Sequence, residues 1–168
     1  MGTSVTISAA TDQDAEQILK LQYLCYQTEA ALYDDYAIEP LTQSLDALRA
    51  ELAEGCVVVA RLGGEVVGSV RGTVDEDGTA QLVKLIVHPR MRRHGLGGRL
   101  LTAVEGRLAA ERSAKRYRLS TGHRGEGSLR LYRSHGYVPV DAERLSRRSS
   151  EVALEKDPAA AGVYVAGA

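Results

Sequence analysis

The residues of this chain most able to do chemistry lie in a basic, glycine-rich stretch between Val87 and Leu101. An apolar run ends at Val87, and the basic and glycine residues then follow at close spacing: Arg92, Arg93, His94, Gly95, Gly97 and Gly98. The glycines open a segment with the apolar periodicity of a helix. Helix N-termini present unpaired amides with partial positive charge, and glycine lets a backbone approach a ligand closely. The stretch therefore predicts a site for a phosphate-bearing ligand.

Two other phosphate-binding patterns do not fit this spacing. A Walker loop needs Gly-Lys-Ser/Thr after four intervening residues, and no such string follows Gly95. A dinucleotide-binding fingerprint needs three glycines, but Arg99 and Leu100 follow where the third would be required.

The string does fit R-x-x-G-x-G, formed by Arg92, Gly95 and Gly97, preceded by Val-His-Pro. In this it resembles the GNAT superfamily, the GCN5-related N-acetyltransferases. The resemblance continues through Leu119–His123 and Ser128–Tyr137 and spans most of the chain. It implies that acetyl-coenzyme A is the cofactor and that its pyrophosphate is bound at the glycine-rich turn. It assigns cofactor contacts to the strand end and the turn: Leu85, Ile86, Val87, Arg92, Arg93, His94, Gly95, Leu96, Gly97 and Gly98.

The elements that must position this turn follow from periodicity and turn residues. We expect a strand, two helices, an antiparallel meander ending at Val87, the glycine-opened helix, a strand from Arg116, a short helix over Ser128–His135 and two final strands. This order predicts an α/β fold with a mixed, mostly antiparallel sheet of about seven strands flanked by about four helices. The resemblance further implies that the pantetheine arm pairs with the strand backbone at Leu85–Val87.

The resemblance implies acetyl transfer to a primary amine by direct attack in a ternary complex. Tyr132 matches a tyrosine that often protonates the departing thiolate in the family. A phenol with an ordinary pKa of about 10 can transiently protonate a thiolate whose ordinary pKa is about 8.5. The alternative interpretation of Tyr132 is a core aromatic that packs beside Leu129 on a short helix. Backbone amides near Ile86 and Val87 would polarise the thioester carbonyl.

The general base is not evident from the sequence. Gln81 stands where many relatives carry a glutamate, and an amide cannot accept the proton. Carboxylates between the first two helices are alternatives, because that segment borders the acceptor pocket in relatives: Glu29, Asp34 and Asp35. Glu29, Tyr33 and Asp34 are therefore the candidate substrate-binding residues. An ordinary solvated acidic loop explains the same residues.

Composition narrows the functional classes. The chain has 168 residues and a net charge of −1, which argues against a nucleic-acid binder that relies on releasing many counterions. No run is long enough to span a bilayer, and two isolated cysteines favour a reducing cytoplasm. The four histidines lack metal-ligand spacing, so no metal is expected. We expect one domain over residues 1–156 and a tail over residues 157–168. Dimers are common in the family that the chain resembles, so a homodimer is an open alternative to a monomer.

Two functions remain open from the sequence. The first is an N-acetyltransferase acting on a small-molecule or protein amine, with a slight preference for a cationic acceptor. The second is a non-catalytic module that binds acyl-coenzyme A and reports its level. This alternative stays open because Gln81 stands where many relatives carry a glutamate.

Overall fold

The computed structural model describes residues 4–122, 126–140 and 151–157. Within them the strands are β1 (Val5–Ala9), β2 (Cys56–Leu62), β3 (Glu65–Val74), β4 (Thr79–Val87), β5 (Arg116–Gly122), β6 (Val138–Pro139) and β7 (Glu151–Lys156). The helices are α1 (Ala15–Tyr33), α2 (Glu39–Thr42), α3 (Leu45–Glu54), α4 (Leu96–Arg112) and α5 (Glu126–Ser134). Residues 158–168 of the expected tail lie outside the described residues.

The strands form one mixed sheet in the order β1-β2-β3-β4-β5-β7-β6. β1 pairs antiparallel with β2, and β2 with β3. β7 runs antiparallel to both β5 and β6. β4 and β5 are parallel, with Thr79–Gln81 opposite Arg116–Arg118. The predicted α/β fold with a mixed, mostly antiparallel sheet is confirmed.

The chain divides into two compact units, and the first comprises residues 1–72 and 84–107. Its core lies where α1 and α3 pack on the sheet, and the buried residues there are Ala15, Ile18, Leu21, Cys25, Leu48, Val57, Val59, Val66 and Ile86. α1 begins after a capping box, in which the backbone amide of Thr11 donates to the Asp14 carboxylate and the backbone amide of Asp14 donates to Thr11. Asp14 also accepts two hydrogen bonds from Arg61 on β2, at 2.6 and 2.5 Å.

The second unit comprises residues 73–83 and 108–168. Its described core includes Tyr117 and Leu119 on β5, and Leu154 on β7. Tyr137 is almost fully buried, and its ring meets that of Tyr132 edge to face with centroids 6.1 Å apart. Such aromatic pairs are favoured by the ring quadrupoles.

The segment around the first two predicted helices differs from expectation. α1 continues through Glu29 to Tyr33, where a loop was expected, because its Glu-Ala-Ala-Leu stretch favours a helix. It ends at Asp34, whose φ of 50° is left-handed. A single helix was expected between the first helix and the meander. The structure has two there, α2 and α3, separated by extended backbone at Gln43 and Ser44. Ser44 caps α3 by accepting a hydrogen bond from the Ala47 amide, so five helices replace the expected four among the described residues.

Candidate functional site

The end of β4, the basic turn and the start of α4 form the candidate anion site, and all of them lie in the first unit. His88 continues the strand pairing through its amide, which donates to the Val67 carbonyl at 2.8 Å. The turn then takes left-handed backbone at Arg93 (φ 69°) and Gly95 (φ 75°). The Gly95 carbonyl accepts from the Arg99 amide, which makes Gly95 the N-cap residue that immediately precedes α4.

The first turn of α4 therefore supplies the amides that the sequence predicted. Leu96, Gly97 and Gly98 precede the first residue that bonds back into the helix, so their amides have no acceptor within it. A Cβ on Gly95 would have no heavy atom within 4 Å, which leaves this corner of the turn open. The helix dipole adds positive potential at the same end. The arrangement can bind an anionic group such as a phosphate.

Arg92 and Cys25 both contact the carbonyl of Val87, the last residue of β4. Arg92 Nε donates to this oxygen at 3.4 Å, and Cys25 Sγ donates to it at 3.4 Å. Burial raises the pKa of the Cys25 thiol, so the thiol keeps the proton that it donates. The strand end is thereby fixed to α1 and to the basic turn.

Close packing also fixes α4 against the sheet. A Cβ on Gly68, in β3, would lie 3.0 Å from Leu100 Cδ1 and 3.3 Å from the Ile86 carbonyl oxygen. Leu100 is fully buried, so this contact has little room to relax. Glycine at position 68 thus lets the first turns of α4 lie close to β3 and β4.

β4 departs from regular strand geometry at Lys84, whose φ is 54°. A left-handed residue other than glycine costs roughly 1–2 kcal/mol, and it redirects the peptide groups on either side. The residues that follow are Leu85–Val87, the expected partners of pantetheine. The Lys84 ammonium lies 2.6 Å from Glu39 Oε1 and 3.8 Å from Glu51 Oε1, and its side chain is 10% exposed.

A buried polar network surrounds Lys84, and sequence reasoning missed it. The Gln43 amide oxygen accepts from Gln22 at 2.9 Å, and from Arg71 and Lys84 at 3.2 Å each. Arg71, only 3% exposed, also donates to Glu51 at 2.9 Å. Burial lowers the pKa of Arg71, and the Glu51 carboxylate opposes this effect. Charged residues inside the apolar strands β3 and β4 were the signal that could have found it.

The other predicted site residues lie on α5, on α1 or just after it, and on β4. Tyr132, on α5 in the second unit, is 8% exposed and contacts the Tyr137 ring. Glu29 and Tyr33 lie on α1, and Asp34 is exposed just after it. Gln81 is exposed on β4 opposite Arg118.

Among residues 4–122, 126–140 and 151–157, no group of three or more His, Cys, Asp or Glu side chains is placed to hold a metal ion. In the same ranges, every helix is too short or too polar to cross a membrane.

Comparison with known proteins identifies the protein family. Residues 15–137 match the Acetyltransferase (GNAT) family, and this match includes β4, the basic turn, α4 and Tyr132. The chain belongs to this family of acetyltransferases. No protein of curated function matches the sequence.

Solved structures share the fold at low sequence identity. The paia N-acetyltransferase from Thermoplasma acidophilum, solved in complex with coenzyme A, has a TM-score of 0.77 at 16% identity, covering 92% of this chain and 99% of that one. The putative acetyltransferase yncA from Salmonella typhimurium, solved with its cofactor acetyl-CoA, has a TM-score of 0.72 at 19% identity, covering 92% and 94%. A putative acyl-CoA N-acyltransferase from Klebsiella pneumoniae has a TM-score of 0.67 at 22% identity, covering 91% and 97%.

Proposed function

We propose that this chain is an N-acetyltransferase that moves an acetyl group from acetyl-coenzyme A to a primary amine by direct attack in a ternary complex. The observation that carries the proposal is the start of α4, where left-handed Gly95 precedes three amides without a helical acceptor. The basic residues Arg92, Arg93 and His94 flank these amides and would complement the pyrophosphate charge. Two structural neighbours contain coenzyme A or acetyl-CoA, which supports this ligand.

The end of β4 is proposed to bind the rest of the donor. Leu85, Ile86 and Val87 follow the left-handed step at Lys84, and their backbone would pair with the pantetheine arm. Amides near Ile86 and Val87 would donate to the thioester oxygen as negative charge develops there in the transition state. Binding energy from the remote pyrophosphate would hold the carbonyl for attack. We also propose that residues 1–156 act as one domain, since the family match runs through both compact units.

Tyr132 is the proposed proton donor to the coenzyme A thiolate, on the strength of its motif and of its position within the family match. Replacing Tyr132 with phenylalanine removes the phenol and keeps the ring that packs on Tyr137. We expect kcat to fall about 10²-fold or more, the usual size of a general-acid contribution, with coenzyme A affinity unchanged. Tyr137→Phe is the matched control, because it removes a phenol hydroxyl from the neighbouring ring. If Tyr132→Phe kept the wild-type kcat, Tyr132 would not be the proton donor.

The acceptor is proposed to be an amine that reaches the enzyme with a positive charge. Glu29, Tyr33 and Asp34, at the end of α1, are the proposed contacts, and the acidic groups would attract an ammonium ion. The Gln81 amide cannot accept the amine proton. The proton would therefore leave through a water relay or to a carboxylate such as Glu29, Asp34 or Asp35, or the amine would bind already neutral.

The two cysteines are free and buried, which supports a reducing cytoplasm as the location.

The test is a panel of amines with acetyl-coenzyme A, followed by free-thiol release and by mass spectrometry of the products. Spermidine, lysine amide, kanamycin and a lysine-containing peptide represent the chemical classes. We expect an acetylated product from at least one of them and calorimetric binding of coenzyme A. Binding without turnover on any amine favours the sensor function, and the absence of binding refutes both.

A further inference from the structure

Lys84 joins the end of β4, which is the donor side of the proposed site, to the segment Glu39–Gln43, which follows the proposed acceptor contacts at the end of α1. Its backbone forms the left-handed step of β4, and its ammonium reaches Glu39 at 2.6 Å and Gln43 at 3.2 Å. We infer that Lys84 is a positioning residue that ties the segment Glu39–Gln43 to β4 and so holds the acceptor side of the site in register with the thioester. The inference rests on the proposed acetyl transfer, because it concerns the same site.

The segment Glu39–Gln43 has a second anchor on α1. The Gln22 side-chain amide donates to the Pro40 carbonyl at 2.8 Å, and the Tyr23 hydroxyl donates to the Gln43 carbonyl at 2.6 Å. These bonds fix the segment to α1 but not to the sheet. Lys84 supplies the polar link to β4, whereas Arg71, on β3, donates to Gln43 at 3.2 Å. Loss of Lys84 would therefore remove the bond between the Glu39 end of the segment and the sheet, while the Gln43 end keeps its bond to β3.

The rest of the network holds the ammonium in place. Glu51 lies 3.8 Å from it and accepts from Gln43 at 2.6 Å and from Arg71 at 2.9 Å. Arg71 is buried, and the Lys84 side chain is largely so, which strengthens their electrostatic interactions. The ion pair with Glu39 is the outer part of the network, since the Glu39 side chain is 61% exposed. A change at Glu39 therefore probes the link with little risk to the core.

Substitutions at position 84 separate the backbone step from the side-chain link. Glycine adopts a φ of 54° freely, so Lys84→Gly keeps the step and removes the ammonium. Lys84→Met removes the charge and keeps an unbranched apolar chain. Lys84→Arg keeps the charge, and Lys20→Met, on an exposed position of α1, is the matched control.

The kinetic test uses acetyl-coenzyme A and the panel amine with the highest turnover. We expect Lys84→Met and Lys84→Gly to raise the KM for the amine or lower kcat by roughly ten- to a hundred-fold, as misplacement of a bound reactant does. Glu39→Gln should produce a smaller change in the same direction, while Lys84→Arg and Lys20→Met stay near wild type. The Kd of coenzyme A should not change in Lys84→Gly, because the amides at the start of α4 are untouched and glycine keeps the backbone step that precedes Leu85–Val87. A Lys84→Gly variant with wild-type kinetics overturns the inference, and so does an equal loss of coenzyme A affinity.

Hydrogen exchange tests the same link without any acceptor. In the full-length protein, we expect the amides of residues 39 and 41–44 to exchange faster in Lys84→Met than in Lys20→Met, with α4 unchanged. Equal exchange in the two variants would overturn the inference. If the wild-type protein acetylates no amine, the proposed function fails, while the exchange result still decides whether Lys84 holds the segment.

Discussion

Replacing Gly68 with alanine tests the close packing that fixes α4 on the sheet. The new Cβ would lie 3.0 Å from Leu100 Cδ1, 3.3 Å from the Ile86 carbonyl oxygen and 3.4 Å from Ala60 Cβ. The leucine methyl could turn away, but Leu100 is fully buried, and a backbone oxygen has no such freedom. Helix α4 or the end of β4 must therefore shift.

The expected cost follows from two opposing effects. Overpacking a core typically costs about 1–3 kcal/mol. The alanine recovers about 0.4–1 kcal/mol by restricting the unfolded chain. Taking the middle of each range, the net expectation is a loss of about 1 kcal/mol, which for a domain of this size lowers the Tm by roughly 2–4 °C. Because the shifted groups adjoin the proposed cofactor site, coenzyme A affinity should also fall.

The assay is urea unfolding followed by circular dichroism, with coenzyme A titrated by calorimetry. Gly106→Ala, on α4 itself, is the control for a glycine-to-alanine change without a clash, because a Cβ there would have no heavy atom within 4 Å. That control should gain about 1 kcal/mol from helix propensity. If Gly68→Ala were as stable as Gly106→Ala, the packing argument would be refuted.

Three further predictions test other parts of the first unit. Asp14→Asn should cost about 2–3 kcal/mol at pH 7, because it breaks the partly buried, bidentate ion pair with Arg61. Arg61 holds the Asp14 pKa below its ordinary value, so the wild-type advantage should be present above about pH 4 and disappear as the pH falls through the lowered pKa. A difference in urea midpoint that does not change down to pH 2 would contradict this. Gly95→Ala should cost about 1 kcal/mol through its φ of 75° and weaken coenzyme A binding; unchanged calorimetry would argue against a ligand at this turn. Leu48→Ala, at a fully buried position of α3, should cost about 2–5 kcal/mol in urea unfolding, and a loss below about 1 kcal/mol would show that this core collapses around the cavity.

Local patterns predicted much of the fold. The apolar run ending at Val87 and the glycines after it predicted the strand, turn and helix, because each depends on residues close in sequence. The strand expected from Arg116 begins there, and the short helix expected over Ser128–His135 lies at Glu126–Ser134. The extent of α1 was not predicted, since its polar end has helix propensity but little apolar periodicity.

The sequence by itself determined the order of elements, the family and the residues of the basic turn, because these follow from local spacing. Only the tertiary structure decided the left-handed step at Lys84 and the network of Gln22, Gln43 and Arg71. Gln22 and Arg71 are 49 positions apart in sequence, and Lys84 is 41 positions from Gln43. Such contacts depend on how α1, α3 and the sheet pack, and no local pattern encodes which buried polar groups will then meet.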